Sequence, residues 1–294
     1  MRLSVLIFVW FVFWPIPNAS GQDSESYRVL FLGNSRYYAS GGPLQPFEGF
    51  CRAEGLLCET VNQGRPPPEW SPHGIEFSGL GRIDPFMRNV ARDERVRELI
   101  SSGGFDYVVV HSRSNDFIPD WVETPVPDWI ETPVDVPSYA GRETTEAFKD
   151  LHRVIVEAGA TTVVTMSHMM SSYVQQMHIV AEEHQRLKEE LDAMMIGGSR
   201  HPVILVPTGL FWMDAMHKFG LESWYADSAH GTSLAQYATG ALFYTYLMGR
   251  DPRQNVFAEL PVPWRAPDDA PKEFVPATQA EWVKNLAWWY YSHY

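Results

Sequence analysis

From Arg28 onward the sequence alternates between short, unbroken apolar runs and longer segments whose apolar residues recur every three or four positions. The runs 28–32, 58–61, 105–110, 161–166 and 203–206 are of strand length, and most are rich in β-branched residues. An apolar run without alternation buries both of its faces, which is the pattern of a parallel strand covered by helices on either side. Between them, 47–57, 85–101, 142–157 and 171–195 read as helices. Two more follow, one from about Leu210 and one from Ser233 to Met248 that stops at Gly249. This alternation predicts an α/β protein: a three-layer α/β/α domain, doubly wound about a mostly parallel five-stranded sheet. Ligands bind such sheets at the carboxyl ends of the strands, so functional residues belong in the loops that follow each strand.

Three segments break the alternation. At the N-terminus, Arg2 precedes an apolar stretch over 3–14, then Pro15, Pro17 and the small-residue run Asn18-Ala19-Ser20-Gly21. A positive start, an apolar core and a small-residue exit describe a secretory signal peptide, here residues 1–21 with cleavage before Gln22. The stretch is shorter than the ~20 apolar residues that span a bilayer. Export to a secreted or periplasmic location is therefore expected, with an uncleaved membrane anchor as the alternative. The α/β domain then occupies 22–260 and carries an insertion over 117–138. Within it, Pro-Asp-Trp-Val-Glu-Thr-Pro-Val is followed at once by Pro-Asp-Trp-Ile-Glu-Thr-Pro-Val, a duplication too short for a solenoid. Its prolines predict an extended surface loop near the mouth of the site, where Trp121 and Trp129 either stack on a sugar or pin the loop down. The third segment, 261–294, pairs a Pro-rich tail with an aromatic helix from Ala277 that carries Trp282, Leu286, Trp288, Trp289 and Tyr290 and should dock on the domain.

Composition narrows the partners. The 294 residues carry a formal net charge of −13 and no Lys/Arg cluster, so a phosphate backbone would be repelled and no nucleic-acid partner is expected. The only two cysteines, Cys51 and Cys58, read either as a disulfide permitted by export or as two small buried hydrophobes. Their spacing matches no zinc motif, and no His-Glu-x-x-His pair occurs. No metal or cofactor is expected.

Three loops carry residues suited to one chemistry. Gly33-Asn34-Ser35 follows the first strand and holds a serine at the mouth of the sheet. Asp227 and His230 lie three residues apart just before the helix that begins near Ser233. A serine hydroxyl becomes a nucleophile when an imidazole takes its proton, and the imidazole needs an acceptor on its other nitrogen to fix its tautomer. Asn115, in Ser112-Arg113-Ser114-Asn115-Asp116 after the third strand, offers a neutral amide donor to an oxyanion. Taken singly, each reads equally as a turn, a helix cap or a polar loop.

Taken together, Ser after strand one, Asn after strand three and Asp-x-x-His near the end resemble the SGNH/GDSL hydrolase superfamily, in its exported bacterial branch. Pro207-Thr208-Gly209-Leu210-Phe211-Trp212 is similar to a Pro-Val-Gly-x-x-Trp segment of some members, and the stretch from Asp227 to Pro252 is similar to their ending. The resemblance implies a flavodoxin-like fold and a triad of Ser35 as nucleophile, His230 as base and then acid, and Asp227 as its orienting partner. It also implies an oxyanion hole formed by the Ser35 N–H, the Asn115 side chain and a glycine N–H after strand two, for which Gly64 is the candidate. The implied activity is that of an esterase or deacylase on a small-molecule or carbohydrate ester, with an acyltransferase or a non-catalytic carbohydrate-binding protein as alternatives. Departures are Asn34 where aspartate is usual, Gly231 where proline is frequent, and Arg113 at a glycine position, where it either crowds a substrate or binds an anionic one. His168, after the fourth strand, is a further candidate for substrate contact. Oligomeric state is not legible.

Overall fold

A computed structural model describes residues 25–33, 42–62, 90–111, 141–169, 171–227, 230–262 and 270–294. In chain order the elements are β1 (Ser26–Leu32), α1 (Leu44–Ala53), β2 (Leu57–Asn62), α2 (Glu94–Ser102), β3 (Tyr107–His111), α3 (Gly141–Glu157) and β4 (Thr161–Thr165). A 3-10 turn (Ser171–Gln176) leads into α4 (Met177–Asp192), the two-residue strands β5 (Met195–Ile196) and β6 (Ser199–Arg200), and β7 (Ile204–Val206). Then come α5 (Thr208–Phe219), α6 (Leu221–Trp224), α7 (Ser233–Met248) and α8 (Ala277–His293). No helix among the described residues is long and apolar enough to cross a membrane.

The five strands β2-β1-β3-β4-β7 form one parallel sheet in that order. Because side chains alternate across a strand, each apolar run feeds two cores. Val29, Phe31, Val109, Val163 and Val206 face α1, α5, α7 and α8, whereas Leu30, Leu32, Val108, Val110, Val164 and Leu205 face α2, α3 and α4. This is the three-layer α/β/α arrangement that the unbroken apolar runs predict, with strand bounds shifted by a residue or two.

Helix bounds differ more, for identifiable reasons. Asp93 caps α2 by accepting the Arg95 N–H at 2.9 Å, and the Arg95 guanidinium beside it holds its carboxyl below the usual range. The predicted 171–195 helix divides into the 3-10 turn and α4, and past its end β5 and β6 make a small antiparallel hairpin. Gly197 and Gly198, with φ of 58° and 86°, supply the left-handed pair that a two-residue hairpin loop requires.

Helix α7 departs from ordinary amphipathicity, since nearly every residue from Ala235 to Leu247 is buried. One flank meets the sheet and α1, and the other is covered by α8. Polar ties fix that cover. Asn255 donates from Nδ2 to the Phe50 carbonyl at 2.8 Å and accepts the Lys284 ammonium on its own carbonyl. Tyr290 donates to Asp214 at 2.8 Å, and Tyr246 donates to the Tyr290 carbonyl at 3.1 Å. Burial pushes the Lys284 ammonium below its usual range. Cys51 is buried and Cys58 half-buried, both as thiols, with Cys58 Sγ 3.8 Å from Met248 Sδ.

On the other side of the sheet, His184 of α4 is fully buried, with Nδ1 2.7 Å from the Val180 carbonyl. Burial lowers its pKa from 6.5 to about 4. The unfolded chain therefore takes up this proton first, so the stability it contributes is complete above pH 6.5 and is lost as pH falls toward 4. The gap corresponds to about 3 kcal/mol. Urea midpoints measured from pH 7 to pH 4 should fall more steeply for the wild type than for His184→Gln. Parallel curves would remove His184 from the acid response.

Candidate active site

The loops that leave β4 and β7 meet Tyr225, at the start of the stretch that carries Asp227 and His230. Beyond Val206, the ladder continues as Met166 N–H donates to the Val206 carbonyl at 2.9 Å, and Gly209 N–H donates to the Met166 carbonyl at 3.1 Å. These bonds seat the first turn of α5 on the loop that leaves β4. Tyr225 donates its hydroxyl to the Met169 carbonyl, and its ring lies 6.0 Å from that of His168. His111, the last residue of β3, stands 6.5 Å from His168 between ring centroids.

The segment itself is a tight hairpin. Tyr225 and Gly231 form an antiparallel bridge, and Ala226 N–H donates to the His230 carbonyl at 2.8 Å. Thr232 then caps α7 by accepting from Ala235 N–H, and donates its hydroxyl to the Ser223 carbonyl at 2.8 Å. Within the hairpin, one carboxylate makes two bonds. Asp227 Oδ1 accepts the His230 backbone N–H at 2.8 Å, and Oδ2 lies 2.7 Å from His230 Nδ1. An ionised carboxylate can only accept, so Nδ1 carries the hydrogen and the neutral imidazole keeps its acceptor lone pair on Nε2. That is the tautomer a general base needs.

The pair is partly open to solvent, with side-chain exposures of 27% for His230 and 55% for Asp227. A polar contact so exposed contributes ~1 kcal/mol or less to stability. Its consequence is orientation of the ring.

The sequence-derived candidates divide sharply. Asp227 and His230 are brought together by the two bonds above. His168 is 4% exposed and lies face to face on Trp212, with centroids 3.7 Å apart and planes 13° apart. Gly33 directly follows β1, whose Leu32 is in register with Val110 of β3, so β1 ends beside the end of β3 at His111. Ser35, Gly64, Arg113, Asn115, Trp121 and Trp129 lie outside the described residues. Sequence reasoning noted the segment containing Trp212 only as a likeness, and passed over Tyr225 and Thr239. Their parts depend on contacts between elements far apart in the chain. No cluster of metal-ligating side chains is found among the described residues.

No family model matches this sequence, and no curated protein matches it either. Solved structures do. A DUF4886 family protein from Bacteroides uniformis aligns at 11% identity with a TM-score of 0.57, over 90% of this chain and 93% of its own. A GDSL-like lipase candidate from Parabacteroides merdae aligns at 11% identity and a TM-score of 0.50, over 77% of this chain and 97% of its own. An alpha/beta hydrolase enzyme from the metagenome of Lake Arreo, Spain, aligns at 12% identity and a TM-score of 0.50, over 77% and 96%. Likeness at this identity speaks to architecture alone. Together with the five-stranded parallel sheet flanked by helices on both faces, it shows that this chain has an SGNH/GDSL-type fold.

Proposed function

We propose that this chain is an exported serine hydrolase, an esterase or deacylase, in which Ser35, His230 and Asp227 act as one triad. The observation that supports it most is the double grip of Asp227 on His230, through the backbone N–H at 2.8 Å and through Nδ1 at 2.7 Å. A surface aspartate that merely capped a turn would need only the first of these bonds. In the proposed reaction, His230 Nε2 takes the Ser35 hydroxyl proton as Ser35 Oγ attacks the ester carbonyl. The resulting oxyanion is met by the Ser35 N–H, the Asn115 side-chain amide and the Gly64 N–H. His230 then returns the proton to the departing alkoxide, leaving an acyl-serine, and activates a water that releases the acid by the reverse sequence.

The substrate class we favour is an acylated carbohydrate or other small ester, with Trp121 and Trp129 as the stacking surface and Arg113 on the substrate side. His168 belongs to the floor of that side, given its burial against Trp212. The GDSL-like and alpha/beta hydrolase neighbours are in keeping with ester chemistry. A fluorophosphonate probe should label the purified protein at Ser35, identified by peptide mass. Labelling at another residue, or none on folded protein, would overturn the assignment. Export is tested separately, since the intact mass of protein recovered outside the cytoplasm should begin at or near Gln22. Retention of residues 1–21 would show an anchor.

A further inference from the structure

The proposed catalytic pair sits on a hairpin that is itself exposed, so its ring position must be set by what lies beneath it. One side chain touches both stems of that hairpin. Trp212, on α5, is 1% exposed. Its ring meets Tyr225, at the start of the hairpin, edge-on at 5.4 Å, and Trp224 at 6.0 Å. At the other stem the approach is closer. A Cβ built on Gly231 would lie 2.6 Å from Trp212 Cη2, 3.1 Å from Cζ2 and 3.0 Å from Ala235 Cβ, so a side chain there would meet the indole first. The indole has little freedom to give way. His168 is stacked on its face at 3.7 Å, and Nε1 donates to Thr239 Oγ1 at 2.9 Å. The Thr239 hydroxyl in turn donates to the Ala235 carbonyl at 2.8 Å, in the first turn of α7 that follows the hairpin.

We propose that Trp212, held by His168 and Thr239, is a positioning residue that sets the height of the Asp227–His230 hairpin through its contact with Gly231. The inference rests on the triad reading for its effect on turnover, but the position of the His230 ring can be observed without any substrate. Misplacement of a catalytic group by about 1 Å can cost ~100-fold in rate, and a Cβ at 2.6 Å demands a shift approaching that size.

The test is a double-mutant cycle on the full chain, with Gly231→Ala, Trp212→Phe and both together. Phenylalanine lacks the outer indole atoms Cη2 and Cζ2, which removes the tightest obstacle to the new methyl group and leaves only Ala235 Cβ at 3.0 Å. We expect Gly231→Ala to lower kcat on a short-chain aryl ester ~10- to 100-fold with KM within about twofold. In the proton NMR spectrum, the downfield His230 Nδ1–H signal should shift or broaden. The double variant should regain at least about threefold in kcat over Gly231→Ala and recover that signal, the signature of direct coupling between the two sites. Wild-type kcat and an unmoved signal in Gly231→Ala, or a double variant no better than additive, would overturn the proposal. Should Gly231→Ala fail to fold, Thr239→Val carries the test. It keeps the shape but removes the acceptor for the indole N–H, and an unchanged kcat and His230 signal there would be equally decisive against it. If Ser35→Ala retains turnover, the triad reading fails while the NMR arm still judges the positioning role.

Discussion

Replacing Ser35 with alanine is expected to eliminate hydrolysis of a short-chain aryl ester, a loss on the order of 10⁶-fold in kcat, with no loss of fold. The size follows from the chemistry. Without the hydroxyl there is no acyl intermediate, and only the oxyanion donors and substrate binding remain to accelerate direct attack by water. Stability should be unaffected, because the first strand ends at Leu32 and its core contacts come from Val29, Leu30, Phe31 and Leu32. His230→Ala should match this loss, since an unactivated serine is nearly as poor a nucleophile as none. The measurement is kcat alongside the thermal unfolding midpoint for each variant. Undiminished turnover by folded Ser35→Ala would refute the serine mechanism outright.

Asp227→Asn is the second large effect, expected at up to ~10⁴-fold in kcat. The two bonds of Asp227 make this substitution unusually clean. The asparagine oxygen can still accept the His230 backbone N–H that Oδ1 now accepts at 2.8 Å, so the hairpin keeps its shape. At the position of Oδ2, 2.7 Å from Nδ1, stands an NH₂ group that can only donate. The imidazole must then present its lone pair at Nδ1 and its hydrogen at Nε2, the wrong way round for accepting a proton from serine. Because the Asp227 side chain is 55% exposed, water can compete for Nδ1 and restore part of the correct tautomer, which makes 10⁴ the upper bound. A drop of less than about tenfold, with the fold intact, would mean that Asp227 serves the turn alone.

The sheet was legible because its central runs, such as Val29-Leu30-Phe31-Leu32, are apolar on both faces, the pattern of a doubly covered parallel strand. Asp227 and His230 were legible because their partnership is local, three residues apart, and needs no distant element to form. What escaped notice was tertiary. Trp212 stood out only as part of the likeness at 207–212, since its consequence lies in a contact with Gly231, nineteen positions away, and a hydrogen bond to Thr239, further still. His168 read as a rim residue from its place after β4, whereas the stack against Trp212 draws it into the interior. The short hairpin at 195–200 drew no assignment beyond Met195 because two-residue strands leave almost no pattern of their own. The all-round burial of α7 likewise has no amphipathic signature, because its second flank is covered by a helix that follows almost thirty residues later.

That last arrangement orders events during synthesis. The flank of α7 carrying Tyr246 and its neighbours waits for residues 277–293, so the ribosome must pass the whole of α8 before this core can close. Until then the nascent chain presents a bare aromatic and aliphatic ridge instead of a finished surface.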